Sequence, residues 1–403
     1  MRAPPRAVAE VGRPHGTACL ARYGSTRSGA QHRALRASAV CRSAALGGHL
    51  TQGAQCGHAG QAYHSCRHRG CPKCHGPAPA AWLTAREREV LEPPYGQVSV
   101  SLPHTLGPLA LQHPRLLSGL LLHTVATTLQ DMAGDPQHLG AKMGGFAVLH
   151  PWGQPLPHHP HLHGVLPAGG RAAAGSQGGP CRPPCCRPVR VLARRFRRLC
   201  LAGLAPLYGR GQFALTGRCR ARTGPAHWQP RLAAVRDQAW GVSAKEPLQA
   251  PQPVLTYLAR STPRVAISNH RLVALEDGPV TLRDKDYQPG HRLRPLTLDA
   301  VACLRRFMLH VPPHGFHRRR HLGCLAHRVR QAHLAQCRTR LGHALHPCAP
   351  AAAVDRQAPA VAAAEPGRGG PVCQHGRRQL STPMYRPPAV WDLSGPAPGL
   401  DTS

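Results

Sequence analysis

The feature that most constrains this chain is a histidine-rich run, HHPHLHGVL, from His158 to Leu166. Its second half has the length and apolar content of a β-strand. Side chains at positions i and i+2 of a strand point to the same face, so His161 and His163 lie together while Leu162 enters the core. Two imidazoles placed this way form half of a divalent-ion site. On spacing alone, a histidine-rich loop in a chain with 28 histidines is an equal alternative.

A metal ion held by such histidines, with open coordination positions, acts as a Lewis acid on a scissile phosphate, and the reaction then needs a nucleophile. Tyr257 lies in the segment PVLTYLARST, whose pattern from Val254 to Ser261 indicates a helix. A tyrosine hydroxyl can attack phosphorus and form a phosphotyrosine, which conserves bond energy and requires no nucleotide cofactor. Most tyrosines pack against other residues, and that is the alternative for Tyr257 on its own.

Four cysteines are clustered near the N-terminus, with the spacing Cys56-x9-Cys66-x4-Cys71-x2-Cys74. Four thiolates supply the tetrahedral sulfur shell of a structural zinc ion and leave no open position for substrate. The irregular intervals keep other ligands in competition, and the nearby candidates are His58, His64 and His68. Basic residues interleave with these ligands and are placed to contact a phosphate backbone; they are Arg67, Arg69 and Lys73.

The charge of the chain favours a polyanionic partner. Lys and Arg total 51 against 17 acidic residues, a formal net charge of +34. Self-repulsion of this size destabilises a compact state, and basic residues gain affinity for nucleic acid by releasing counterions from phosphates. A codon bias that inflates arginine is the alternative. The basic amphipathic helix predicted over Val189–Leu204 either binds DNA phosphates or has a solvated face; its candidate residues are Arg194, Arg195, Arg197 and Arg198.

The location and redox state of the protein follow from two further patterns. No stretch approaches the roughly 18 apolar residues that span a bilayer, and the N-terminal segment lacks a secretory apolar core. We therefore expect a soluble, cytoplasmic protein that does not bind membranes. In a reducing compartment, the 16 cysteines do not form a disulfide framework, and the dense cluster is typical of metal ligands.

The pattern of helices and strands indicates an α+β chain in three parts. Residues 1–92 contain helical segments and the cysteine cluster and are predicted to form a zinc-binding, DNA-binding domain that ends at Pro93-Pro94. Residues 95–330 alternate between strands and helices and are predicted to form the catalytic domain. Predicted elements within it include strands over 97–102, 145–150 and 161–166, a helix over 109–129, a hairpin about Gly278, and a last helix that Asp299 caps and that runs to about Val311. Residues 345–403 are rich in Ala, Pro and Gly and are predicted to be mostly disordered.

Several stretches, in the same order along the chain, resemble the insertion-sequence ninety-one family of transposases. They are RALRASAVCRSAALGGHL, YHSCRHRGCPKC, LHPWGQPLPHHPHLHGVLPAGG, YLARSTPRVAISNHRLVALEDG and LTLDAVACLRRFMLHVPPHGF. The resemblance runs from about residue 5 to residue 330. Any one stretch is a weak match, but their joint occurrence is specific.

The resemblance implies an N-terminal zinc-binding domain and a catalytic domain of HUH type, an antiparallel sheet flanked by helices. It implies Mg²⁺ or Mn²⁺ at His161 and His163, although imidazole also suits Zn²⁺ or Ni²⁺. It further implies that Tyr257 nicks one DNA strand and stays linked to the 5′ end during rolling-circle transposition of single-stranded element ends.

The chain departs from the family pattern in ways that bear on activity. The second tyrosine of the family falls one helical turn after the first, where this chain has Ser261, whose hydroxyl is shorter by a ring. Gly53 stands where the family has a further cysteine. These differences are typical of a degenerate copy. Two alternatives to an active transposase follow: a DNA-binding remnant without chemistry, and a rolling-circle replication initiator.

Overall fold

An antiparallel sheet built from distant parts of the chain lies at the centre of the fold. The computed structural model describes residues 7–53, 57–74, 83, 91, 94–153, 155–171, 189–213, 224–248, 267–276, 278–285, 293–340 and 378–384. The strands of the sheet are β3 (Tyr95–Ser101), β4 (Lys142–Trp152), β5 (His158–Pro167), β7 (Val242–Leu248) and β11 (Arg319–Gly323), with the short β6 (Gly170–Arg171) beside β4. Their order is β11-β4-β5-β3-β7, and every pairing is antiparallel.

The three strands that the sequence predicts here are confirmed, and two of them are longer than expected. β4 extends to Trp152, past a register shift between His150 and Trp152. β5 begins at His158 and includes Pro160. A proline lacks the N–H that a strand interior uses, and Pro160 lies where the ladder with β4 is already interrupted by the register shift between His150 and Trp152. Its carbonyl accepts from the backbone N–H of Leu102.

One face of the sheet is apolar and is covered by helices. Alternate residues of the strands point to this face, as the period of a strand requires. The helices beside it are α3 (Gly107–Gln112), α4 (Pro114–Gly134), α5 (Val189–Gly209) and α6 (Pro225–Asp237). Buried members of this first core include Val98, Val100, Leu149, Leu162, Leu117, Leu121, Leu192 and Phe196.

The helical pattern predicted over residues 109–129 is interrupted at a proline. Pro114 disfavours the helical conformation of the preceding residue, and His113 has φ −119° and ψ 57°. The pattern therefore forms two helices, α3 and α4. The basic helix predicted over Val189–Leu204 is confirmed as α5, which continues to Gly209.

A second core joins the N-terminal helices to a hairpin and helix from the far end of the chain. It contains α1 (Val8–Tyr23), α2 (Gly29–Val40), β8 (Leu272–Leu275), β9 (Pro279–Lys285), β10 (Leu293–Asp299) and α7 (Ala300–Leu309). The predicted hairpin is β8–β9, with Gly278 at φ +116°. The Asp299 carboxylate accepts from the N–H of Ala302 and so caps α7, as predicted. This core crosses the domain boundary predicted at Pro93-Pro94.

A small third sheet has the order β12-β1-β2, from β1 (Gly48–Gly53), β2 (Ala59–Tyr63) and β12 (Arg378–Met384). Strand β12 lies within the segment that is predicted to be mostly disordered, and its seven residues pair with β1. This pairing joins opposite ends of the chain, so the local composition of the segment does not indicate it. A further helix, α8 (Arg330–Arg340), follows β11.

The α+β class and the antiparallel sheet flanked by helices are confirmed. None of the helices in the described ranges combines the length and hydropathy that a membrane-spanning segment needs.

The second core generates a stability prediction. Phe307 of α7 is 1% exposed in this core. We expect Phe307→Ala to lower the free energy of unfolding by about 3–5 kcal/mol, because the truncation leaves a cavity between α7 and the N-terminal helices. Leu293→Ala, at a side chain that is 66% exposed, is the control and should change it by less than about 0.5 kcal/mol. Urea denaturation of the two variants measures the difference, and equal effects would contradict the packing described.

Candidate metal centres

Three histidines meet on the face of the central sheet that lies opposite the first core. The register of β4 and β5 places His150 directly across from His161, and His163 follows two residues later on the same face. One ligand nitrogen from each lies within 4.8 Å of the others. The ring centroids of His161 and His163 are 4.9 Å apart, and those of His150 and His163 are also 4.9 Å apart. We call His150, His161 and His163 the histidine trio.

Sequence reasoning paired His161 with His163 but missed His150. The missing information was the register between two strands, which separates His150 from His161 by eleven positions along the chain. A usable pattern was present, because the strand predicted over 145–150 ends in a histidine and leads into the next strand through a short connection. An antiparallel hairpin centred on that connection brings the two histidines opposite each other.

Burial keeps the trio neutral. It lowers the pKa of His161 to about 4, an effect that the hydrogen bond with the His159 carbonyl partly opposes. Burial, with smaller effects from His161 and Lys245, lowers the pKa of His163 to about 3. The pKa of His150 also lies well below its usual range, chiefly through burial. Neutral imidazoles are the form that binds a metal ion.

The hydrogen bonds of the trio also suit a metal ion. Nδ1 of His161 lies 2.9 Å from the carbonyl of His159, so as a donor it fixes the tautomer that leaves Nε2 available as a ligand. Nε2 of His150 is buried without a hydrogen-bond partner among the described residues. A buried polar atom without a partner is costly, and coordination of a cation would satisfy it. In the described part of the chain, no Asp or Glu joins this cluster.

Two cations and an aromatic ring border the trio. Trp152 stacks on His150 with ring centroids 4.8 Å apart, and the guanidinium carbon of Arg318 lies 5.5 Å from the centroid of Trp152. On the other side, the positive charge of Lys245 on β7 contributes to lowering the pKa of His163. Ser99 and Ser101 of β3 pair with His163 and His161 and share their face. The trio therefore lies in a polar, cationic setting.

Four cysteine sulfurs form a second cluster, from Cys41, Cys66, Cys71 and Cys74. The sulfur of Cys74 lies 3.5 Å from that of Cys41 and 3.5 Å from that of Cys66. The cluster joins the end of α2 to the knuckle that follows β2, where the N–H of Cys74 donates to the carbonyl of Cys71. Four sulfurs at this spacing fit the tetrahedral shell of a structural zinc ion.

The sequence prediction for this cluster included three of the four sulfurs. Cys41 completes it in place of the predicted Cys56, and Cys56 itself lies outside the described residues. Cys41 was missed because 24 residues separate it from Cys66, a spacing that only the tertiary fold brings together. The alternative ligand His68 is engaged elsewhere, since its Nδ1 accepts from the N–H of Gly70.

The protonation states of the four cysteines also favour binding of a cation. Hydrogen bonds from Cys41 and Cys66 lower the pKa of Cys71 to about 4, whereas the same kind of contact raises the pKa of Cys66. The sulfurs thus share protons that a bound metal ion would displace. This arrangement is typical of a metal site rather than of isolated thiols.

The basic residues predicted to bind DNA divide into two groups. Some make contacts within the protein: Arg69 donates to the carbonyls of Pro313 and Phe316, Lys73 donates to that of Cys41, Arg195 pairs with Asp131, and Arg197 donates to the carbonyl of Arg236. The others are exposed, namely Arg67, Arg194 and Arg198. The predicted nucleophile Tyr257 and the neighbouring Ser261 lie outside the described residues.

Buried histidines generate a prediction about stability and pH. Burial lowers the pKa of His310 to about 3 and that of His158 to about 4, against about 6.5 in an unfolded chain. Their stabilising effect is complete above pH 6.5 and is lost as pH falls towards 4, because the unfolded chain binds protons first. We expect the thermal unfolding temperature, measured without added divalent ions, to fall steeply over this range.

A pair of variants isolates one histidine in that measurement. The slope of the unfolding free energy against pH measures the number of protons that the chain takes up when it unfolds. His310→Gln should lower that number by about one between pH 6 and 4. His123→Gln, at an exposed position on α4, should leave the dependence unchanged. Identical pH profiles for wild type and His310→Gln would show that His310 is not buried in its neutral form.

Two family models match the chain. One, described as "Transposase zinc-binding domain", matches residues 13–102, and the other, described as "Putative transposase", matches residues 144–333. The first contains all four clustered cysteines and the second contains the whole trio. The two candidate metal centres therefore fall in separately recognised segments.

Two relatives extend this match over most of the chain. "Putative transposase y4qJ" of Sinorhizobium fredii is 47% identical over 335 residues, which cover 83% of this chain and 84% of the relative. "Transposase for insertion sequence element IS801" of Pseudomonas savastanoi pv. phaseolicola is 26% identical over 279 residues, 68% of this chain and 64% of the relative. No solved structure matches the chain. The two family models describe transposases, and so does the name of the relative that is 47% identical over 83% of this chain. The chain therefore belongs to the insertion-sequence ninety-one family of transposases.

Proposed function

We propose that this protein nicks and joins single-stranded DNA at the ends of an insertion sequence, with Tyr257 as the nucleophile and the trio as the catalytic metal site. The observation that carries the proposal is the convergence of His150, His161 and His163 on one face of a rigid strand pair, in a chain that belongs to a transposase family. The rolling-circle pathway is proposed from the family resemblance.

The proposed reaction exchanges one phosphate ester for another. The hydroxyl oxygen of Tyr257 attacks the scissile phosphorus, the bond from phosphorus to the 3′ oxygen breaks, and the tyrosine proton passes through solvent to the leaving 3′ hydroxyl. The product is a 5′-phosphotyrosine, and attack by another 3′ hydroxyl reverses the step and joins strands. A divalent ion, Mg²⁺ or Mn²⁺, would supply Lewis-acid activation of the phosphate. The neutral imidazoles of the trio would hold that ion at neutral pH.

We further propose that Cys41, Cys66, Cys71 and Cys74 hold a structural Zn²⁺. The support is the cluster of four sulfurs within a segment that matches a zinc-binding domain. Four protein ligands leave no position for substrate, so this ion stabilises the N-terminal module and takes no part in the reaction.

The zinc assignment predicts which cysteine variants lose metal. Cys41→Ser should abolish binding of one Zn²⁺ per chain, because a serine hydroxyl is a poor replacement for a thiolate. Cys56→Ser is the matched control and should retain a full equivalent. Elemental analysis of the purified variants measures both. Retained zinc in Cys41→Ser together with lost zinc in Cys56→Ser would restore Cys56 as the ligand.

The nucleophile assignment predicts a covalent adduct. With Mn²⁺ and a labelled single-stranded oligonucleotide carrying the element's end, the wild-type protein should form an adduct that survives SDS. Tyr257→Phe should form none, and Tyr63→Phe, which removes a hydroxyl on β2, should form it normally. His163→Ala should slow formation by about 10²–10³-fold, because charge stabilisation at the phosphate is lost. An adduct that persists in Tyr257→Phe would overturn the assignment.

A second candidate is a DNA-binding remnant without chemistry, and the presence of Ser261 in place of the family's second tyrosine favours it. Such a protein would bind DNA through its positive charge, with an affinity that falls steeply with salt and does not depend on divalent ions. The adduct experiment separates the two, since a remnant would bind the oligonucleotide without forming an adduct.

A further inference from the structure

The first observation is the position of Lys245 on strand β7. Lys245 pairs with Gln97 of β3, and two residues along β3 Ser99 pairs with His163. Directly paired residues, and residues two apart on one strand, share a face, so Lys245 lies on the face of the trio. Two strand spacings, about 10 Å, and an offset of two residues along the strands, about 7 Å, put its backbone about 12 Å from that of His163. A lysine side chain can cover much of that distance, and the residue is exposed.

The second observation is the position of Arg318 on the opposite side of the trio. Its carbonyl accepts from the N–H of Leu149 at 2.9 Å, which fixes its backbone beside β4. Its guanidinium lies over the ring of Trp152, and that ring stacks on His150. The side chain is half-buried, and burial lowers the pKa of Arg318 to about 10, so it stays charged at neutral pH.

The charge balance at the trio links these two positions. All three ligands are neutral imidazoles, and no carboxylate among the described side chains joins them. A divalent ion bound there would keep its full charge, with Lys245 on one side and Arg318 on the other. Like charges brought close together oppose binding, more strongly in a partly buried site than in water. An anion at the centre of these charges would reverse that opposition.

We propose that Lys245 and Arg318 make divalent-ion binding at the trio depend on a DNA phosphate, so that ion and phosphate bind cooperatively. Each cation opposes the ion when the site lacks DNA and attracts the phosphate when DNA is present. The phosphate, placed between the ion and the two cations, offsets part of the repulsion among these positive charges. This inference rests on the proposed function, because it places the scissile phosphate at the trio.

The consequence is that the protein binds its metal weakly in the absence of DNA. Coupling is reciprocal, so the factor by which DNA strengthens ion binding equals the factor by which the ion strengthens DNA binding. Ionic contacts that only increased affinity for DNA would not change binding of the ion alone. That difference distinguishes the proposal from a general electrostatic contribution.

The test measures both equilibria in zinc-loaded, full-length protein carrying Tyr257→Phe, so that no cleavage occurs. Electron paramagnetic resonance counts free Mn²⁺ with and without the single-stranded oligonucleotide, and fluorescence anisotropy follows binding of the labelled oligonucleotide with and without Mn²⁺. We expect the oligonucleotide to strengthen Mn²⁺ binding by about tenfold or more, within the usual range of coupling between sites. The same factor should appear in the anisotropy measurement.

Charge-removing variants then assign the coupling. Lys245→Gln should strengthen Mn²⁺ binding in the absence of DNA, weaken oligonucleotide binding and reduce the coupling factor several-fold. Arg318→Gln should act in the same direction. Arg318→Lys keeps the positive charge, so it should retain most of the coupling, and it serves as the control if loss of the Trp152 contact in Arg318→Gln affects folding. Controls are Lys142→Gln, exposed at the far end of β4, and Arg194→Gln, exposed on α5. Both should leave Mn²⁺ binding unchanged.

Two outcomes would overturn the inference, and they differ from failure of the proposed function. Unchanged coupling in both Lys245→Gln and Arg318→Gln would show that these cations do not link ion and phosphate. Weaker Mn²⁺ binding without DNA in Lys245→Gln would reverse the proposed sign. If Mn²⁺ binding at the trio is absent altogether, or survives in His161→Ala, the catalytic metal site itself is wrong and the inference falls with it.

Discussion

Backbone hydrogen bonding between β4 and β5 is the interaction on which the arrangement of this protein depends. Their register sets His150 opposite His161 and, one residue away, Leu149 opposite Leu162. The first pair lies on the face opposite the first core, and the second pair is buried in the first core. A slip of one residue would exchange the two faces, placing imidazoles in the apolar core and leucines at the position of the trio. The same strand register therefore determines both how the leucines pack and where the histidines lie.

This coupling explains which parts of the site could be predicted from the sequence. His161 and His163 belong to one strand, and the period of a strand is a local property that a single segment reveals. His150 and Cys41 belong to the same two clusters but arrive from other segments, so their places depend on sheet register and on the packing of α2. Strand β12 illustrates the same limit, because its composition resembles a loop and only pairing with β1 makes it a strand.

In the second core, two features could be predicted from residues that are close together in sequence. The cap at Asp299 and the turn at Gly278 depend on residues within a few positions, and both form as the sequence indicates. The partners of α7 could not be found in this way. α1 and α2, almost 300 residues earlier, pack against it, and Gln31 donates to the carbonyl of Met308. Burial of apolar surface from both ends of the chain offsets part of the repulsion expected from its high positive charge.

Arg69 follows the cysteine cluster's Cys66 by three residues, and its guanidinium binds the carbonyls of Pro313 and Phe316, just before Arg318. The zinc-binding segment therefore contacts the stretch of chain that leads to the edge of the trio. This contact limits how such proteins can diversify by exchanging parts. An N-terminal segment taken from a relative would arrive without a matching surface for the 313–316 loop unless both regions were inherited together. Exchange of this segment between family members would then require two separated stretches of the gene to change together.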